Sequence, residues 1–396
     1  MAGKIKTYPT DFVVEEIPLY EPCGEGEHLY LTVRKTNVSH DECVRQVAEA
    51  FHVSSRDVGC AGRKDFHAVT TQMLSVYLRG KKPIVPTAIG NLEVVSHSYH
   101  ANKLRLGHLV GNRFVLRVRD MQADSLLGVQ EKLNELRAVG LPNFFGPQRF
   151  GNFGNNHEFG MALVNEHWDE LVSLLLDGEE RHHEFVKEGE YKRAIDAWPF
   201  GQPAERNVLA AKVAGKTSKQ ACNAIPKPLR KLWVNALQSF LFNEVLQSRI
   251  EDKTWNTVLL GDLVWKHDGG GRTFEASNED LEDEAFQERV DSFSLSPTGP
   301  LWGSKMRLPS GKVLAKEIDV RESSGVDDSN LASMLKYASG ARRPLRVKVA
   351  DPTALFSSDE HGAYIEIQCA LPAGSYATVV LAHCLGKPSW FKEISQ

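Results

Sequence analysis

Two separated stretches of this chain alternate apolar and polar residues at the period of a β-strand, and the long stretch between them does not. In the first, Leu74, Val76 and Leu78 fall on one face, and Phe114, Leu116 and Val118 alternate with Val115, Arg117 and Arg119. In the last, Leu345 to Val349 and Tyr364 to Cys369 alternate in the same way. From about Phe153 the texture is helical segments and charged loops. There Leu229, Leu232, Trp233, Ala236, Leu237, Phe240 and Leu241 recur at helical spacing, which predicts a core helix over Arg230 to Gln247. A chain patterned this way folds as α+β, with sheet-forming segments at both ends. Shorter helices are predicted from Ser39, as N-cap, to about Phe51, and from about Ala123 to Val139. Gly111-Asn112 reads as a turn entering the strand of Phe114. Gly261 to Trp265 and Gly269-Gly270-Gly271 read as strands and a turn. A length of 396 residues suits two or three domains.

The charge is unevenly spread. The net formal charge is −4, yet Arg79 to Arg119 carries eight Lys/Arg against Glu93 alone. Lys212 to Lys231 carries six Lys/Arg and no acid, and Arg342, Arg343, Arg346 and Lys348 form another acid-free cluster. Glu275 to Asp291 offsets these with eight acids and one Arg. Clustered basic segments are the footprint of phosphate binding, so a nucleic-acid partner is expected. Arg117 and Arg119, on one strand face, suit a surface that follows a backbone. The six cysteines, Cys23, Cys43, Cys60, Cys222, Cys369 and Cys384, show no C-x-x-C pair, which fits a reducing compartment and no zinc module. His182-His183 reads as a solvated face. No apolar run reaches the ~18 residues of a membrane span, and the N-terminus lacks a signal-peptide core. A cytoplasmic protein without membrane contact is expected, or a nuclear one if its source is eukaryotic.

Reactive groups are sought where a rigid element presents a polar turn. Gly62-Arg63-Lys64-Asp65-Phe66-His67-Ala68-Val69-Thr70-Thr71-Gln72 does this, with Asp65 just ahead of the strand from Val69. The neighbouring Arg63 and Lys64 favour the carboxylate form. Leu141 to Gly151 interleaves Phe144, Phe145 and Phe150 with Asn143, Gln148 and Arg149, a mixture suited to base stacking and phosphate bonding. Ala210 to Thr217 ends in Gly215-Lys216-Thr217 like a relaxed P-loop. A P-loop must follow a buried strand, and Glu205-Arg206-Asn207 precedes this one, so it reads as a basic loop.

Together these stretches carry a resemblance. Gly62, Lys64, Asp65, Ala68, Thr70 and Gln72 match the Gly-x-Lys-Asp-x-x-Ala-x-Thr-x-Gln signature of the TruD family of tRNA pseudouridine synthases. Lys6, Pro9, Asp11, Phe12, Val14 and Glu16 match its opening, Leu104 to Phe114 a later strand, and Asn143 to Gly151 its Asn-aromatic-Phe-Gly-x-Gln-Arg-Phe-Gly run. The Trp233 to Asn243 helix and the Leu371 to Leu381 segment follow in the family's order. The resemblance implies an α/β (α+β) pseudouridine synthase core with a mixed, largely antiparallel sheet, built from about 1–152 and 345–396. An inserted α/β TRUD domain would occupy about 153–344. It implies Asp65 as catalytic carboxylate, acting at C1′ or C2′ of the ribose, and Tyr376 packing on the target base. Asn143 and Phe145 would line the site, with Lys6, Lys64 and Arg149 orienting Asp65 or holding phosphates. The substrate would be a tRNA uridine, at position 13 in the family, with no cofactor and no metal. Protein partners are left open. The competing reading is a non-catalytic RNA-binding protein on the same fold, indifferent to Asp65.

Overall fold

A computed structural model describes residues 3–268 and 270–386. Gly269, from the glycine turn, and residues 387–396, the end of the expected core segment, lie outside the described residues. The chain divides into two compact units, one of residues 3–141 with 347–386, the other of residues 142–346.

The first unit is built on a nine-stranded sheet. Its path runs Ala350–Asp359, Gly362–Pro372, Leu109–Arg119, Phe12–Pro18, Val69–Tyr77, His28–Thr36, Leu92–His100 and Ala88–Ile89, and Val58–Cys60 pairs off that path with Val69–Tyr77. All its strand pairs are antiparallel except Phe12–Pro18 with Val69–Tyr77. The sheet is therefore mixed and largely antiparallel, as expected. Leu29, Leu31, Val33, Leu74 and Val76 put one face into a core closed by Cys43 and Val47 of the helix His40–Ala50. Ser39 starts that helix by accepting the Glu42 N–H, as an N-cap should. On the other segment, Gln130 and Arg137 of the helix Ser125–Val139 donate to the Ala354 and Pro352 carbonyls at 3.2 and 2.9 Å.

Two expectations fail here for packing reasons. Gly111 and Asn112 form no turn; they lie inside the continuous strand Leu109–Arg119 and pair with Pro372 and Leu371. Glycine is needed there for close approach, because a Cβ would stand 2.1 Å from the Leu371 carbonyl oxygen. Gly111→Ala should therefore cost about 1–3 kcal/mol, read as a lower urea midpoint; an unchanged midpoint would show that the two strands separate freely. Nor do Arg117 and Arg119 offer an open basic face. Arg119 is buried and paired with Asp11 and Asp359, and Arg117 is paired with Asp359 and Glu366. The opposing acids come from elements remote in sequence, Asp11 at 108 residues from Arg119 and Asp359 and Glu366 at 242 and 249 residues from Arg117, which alternation within one strand cannot reveal.

The second unit packs helices around the long helix Lys227–Glu251, with Trp233, Leu237 and Leu241 buried among Leu163, Leu171 and Val208. A four-stranded sheet runs Thr273–Glu275, Leu263–Lys266, Leu295–Leu301, Ala341–Pro344. No strand precedes Lys212-to-Thr217: the helix Pro203–Val213 leads into it and Ser218–Cys222 follows, so it has no P-loop geometry. His182 is not solvated. It is buried, and both His182 and His183 pack on Trp198, with ring centroids 4.5 and 4.7 Å from it. The Arg342 guanidinium, expected among phosphate binders, is buried against Glu317 at 2.6 Å and donates to Thr298. Among the described residues no helix is long and apolar enough to cross a membrane.

Candidate active site

Asp65 sits on the turn ahead of Val69–Tyr77, half exposed, and its surroundings explain why it holds one position. Lys6 donates to Asp65 Oδ2 at 2.9 Å. Lys6 itself has φ +54°, a left-handed backbone that a lysine adopts only under constraint. That bend brings its ammonium 4.1 Å over the Phe12 ring as well as onto the carboxylate. Among the described residues, Asp65 Oδ1 accepts no hydrogen bond. The result is a carboxylate anchored by one oxygen with the other turned free, an arrangement suited to a nucleophile or a base.

The rest of the turn is pinned by charges that the sequence pattern had placed differently. Lys64 does not face Asp65; its ammonium meets Glu16 Oε2 at 2.6 Å, with both side chains almost completely buried. Glu16 Oε1 also accepts the Met73 N–H at 3.2 Å, so the pair ties the turn to two strands. Arg63 reaches the exposed Asp41, a contact of little energetic weight. Beneath the turn lies Lys35, 1% exposed, donating to the Val38 carbonyl at 2.7 Å and to the Asp65 backbone carbonyl at 3.0 Å. Burial pushes the Lys35 ammonium below the usual lysine range, opposed by the nearby Cys43 and Asp65. Lys35 was missed in the sequence, although a signal existed. It continues the inward phase of Leu29, Leu31 and Val33, where a lysine has no place without a polar partner.

Asn143, Phe145 and Arg149 meet in the second unit. Both polar atoms of the Asn143 side chain are engaged: Nδ2 donates to the Pro344 carbonyl at 2.9 Å, and Oδ1 accepts from Arg343 at 2.6 Å. Arg343 is thereby held 4.1 Å over the Phe145 ring, and the Arg149 guanidinium lies 5.5 Å from the same ring. Arg149 is in turn oriented by Ser239 Oγ at 2.8 Å and the Asn235 carbonyl. Asn243 clamps the Phe145 backbone in both directions, accepting its N–H at 2.9 Å and donating to its carbonyl at 3.1 Å. Asn235, Ser239 and Asn243 stand four apart on the helix Lys227–Glu251, so one stripe of a core helix positions Phe145 and Arg149. The sequence had shown that helix only as apolar packing.

Tyr376 belongs to the first unit, where it is the extended N-cap residue of the helix Ala377–Leu385 and half-buried. Of the basic segments, Lys216, Lys227 and Lys231 are exposed, whereas Lys212 bonds Ser218 and Lys219 pairs with Glu166.

Similarity to known proteins extends over nearly the whole chain. The family model described as tRNA pseudouridine synthase D (TruD) matches residues 1–384. The tRNA pseudouridine synthase D of Geobacter metallireducens is 38% identical over 399 residues, spanning 98% of this chain and 96% of its own. That of Syntrophotalea carbinolica is 35% identical over 391 residues, spanning 96% and 95%. A solved TruD structure from Methanosarcina mazei superposes with a TM-score of 0.80 at 25% identity, covering 98% of this chain and 94% of that one. With the family's motifs, its fold and near-complete coverage on both sides, this chain belongs to the TruD family of tRNA pseudouridine synthases, isomerases that convert uridine to pseudouridine in tRNA.

Proposed function

We propose that Asp65 is the reactive carboxylate of this isomerase and that its target is the uridine at position 13 of folded tRNA. The observation that carries this is the Lys6–Asp65 contact, a carboxylate gripped at one oxygen by a lysine held in a left-handed backbone. In the reaction the N1–C1′ bond breaks, the uracil turns, and C1′ joins C5. C5 loses its proton and N1 ends with one, so substrate and product are isomers. The free Asp65 oxygen either attacks C1′ or takes the C2′ proton. Lys6 fixes the other oxygen in both cases. The target nucleotide leaves its stack to be reached, and Tyr376 packs on the extruded base. In the second unit, Phe145 and Arg149 contact the RNA, and Asn143 contributes by fixing Arg343. The reaction takes place in the cytoplasm. Mapping pseudouridine by mass spectrometry in tRNA from cells with and without this protein tests the target: position 13 should revert to uridine. Unchanged modification there, with loss elsewhere, would keep the activity and replace the site.

The exposed Lys216, Lys227 and Lys231 hold tRNA phosphates in this reading. Changing all three to Gln should raise KM more than it lowers kcat. It should flatten the salt dependence of log K by up to three contacts, at ~0.7–0.9 each. A slope equal to that of the parent would take these three lysines out of the interface.

A further inference from the structure

We propose that Lys35 is a positioning residue for the reaction, holding the Asp65 backbone so that Lys6 can hold its carboxylate. This rests on the reading of Asp65 as the reactive group. A lysine that is 1% exposed ordinarily has an acid beside it. Among the described residues Lys35 Nζ donates to two backbone carbonyls instead, Val38 at 2.7 Å and Asp65 at 3.0 Å. Burying an ammonium on such acceptors is costly, and an apolar side chain would fill the same space without that penalty. The contact therefore does something that packing alone does not.

What it does follows from where it attaches. Asp65 lies within a turn, Gly62 to His67, that has no ladder hydrogen bonds of its own before the strand from Val69. Lys35 lies on the strand His28–Thr36, at the register position opposite Thr70 of Val69–Tyr77, in the middle of the sheet. From that rigid strand its side chain reaches the Asp65 carbonyl, and Asn37 N–H adds a bond to the Ala68 carbonyl at 3.3 Å. Asp65 is thus fixed at two oxygens by two lysines: its carbonyl by Lys35 and its carboxylate by Lys6. Without the first, the Cα of Asp65 can drift while the Lys6 contact drags the carboxylate along. A misplacement of about 1 Å of a reacting group can cost about 10²-fold in rate.

The test compares Lys35→Met and Lys35→Gln with the parent and with Asp65→Asn. Single-turnover conversion of tRNA and filter binding are measured well below the melting temperature of each protein, and rates are expressed per folded molecule. Lys35→Met should lower kcat by about 10–10²-fold with KM and Kd for tRNA within about twofold of the parent. Lys35→Gln retains an N–H donor and should recover part of that loss. A kcat within twofold of the parent in Lys35→Met overturns the proposal. So does a loss that Lys35→Gln fails to relieve, or one carried by KM and Kd. If Asp65→Asn is inactive while Lys35→Met is fully active, only the positioning role falls. If Asp65→Asn is itself active, the reading of Asp65 falls, and this inference with it.

Discussion

Asp65→Asn is expected to bind tRNA as tightly as the parent while converting it at least a hundredfold more slowly. The amide keeps the shape of the side chain and still accepts from Lys6, but it is a far poorer nucleophile or base than a carboxylate. Loss of general-base assistance alone is worth about 10²–10⁴ in rate, and loss of a nucleophile can exceed that. Phosphate contacts supply most of the affinity for RNA, and none of them involves this side chain. The measurement is single-turnover conversion beside filter binding. Conversion within tenfold of the parent would remove Asp65 from the chemistry. Inactivity with intact binding would also dispose of the non-catalytic RNA-binding alternative, because that reading makes the parent inactive too.

The second large effect is on stability. Arg342 and Glu317 are each about 3% exposed at the side chain and share two hydrogen bonds, at 2.9 and 2.6 Å. Burial pushes the Glu317 carboxyl up, and Arg342 opposes that shift. Arg342→Ala leaves Glu317 buried without its partner and strips Thr298 of two donors. Breaking a buried pair from one side costs about 3–5 kcal/mol. Urea unfolding should show that loss, and Arg342→Met combined with Glu317→Leu should recover most of it, since an apolar pair leaves no orphaned charge. A cost below about 1 kcal/mol for Arg342→Ala would mean that water reaches the pair. The same variant should leave the salt dependence of tRNA binding unchanged while folded, which separates Arg342 from the exposed lysines of the second unit.

These outcomes trace what could be read in the chain before its structure. Period-two alternation located the strands Val69–Tyr77, Leu109–Arg119 and Gly362–Pro372, because each buries one face more completely than the other. Ser39 and the apolar spacing of Lys227–Glu251 marked helices, because capping and 3.6-residue periodicity are local physics. Partner choice was not legible. Lys64 adjoins Asp65 in sequence yet points to Glu16, since neighbours along a strand or tight turn face opposite ways. Lys6, 59 residues away, takes the place beside Asp65. Arg342 and Arg119 looked like surface charge until other elements brought acids onto them, Glu317 from the helix Gly311–Ser323 and Asp11 from the short helix Pro9–Asp11. Asn243 was hidden by the apolar residues around it, because hydrophobic spacing records which face is buried and not which polar group on that face is needed.

The pairing of Leu109–Arg119 with Gly362–Pro372 sets a timetable for the newborn chain. Arg117 and Glu366, neighbours across that ladder, are 249 residues apart. At about 5–20 residues per second on the ribosome, roughly 12–50 s pass between their syntheses. Throughout that interval the edge of Leu109–Arg119 has no mate and can recruit a strand from another chain. The intervening unit, which ends at Arg346, is complete before the late strand Gly362–Pro372 appears, so the unit begun first is finished last. Slowed translation beyond residue 141, or a stop before residue 372, should thus divert this protein to chaperones or aggregates.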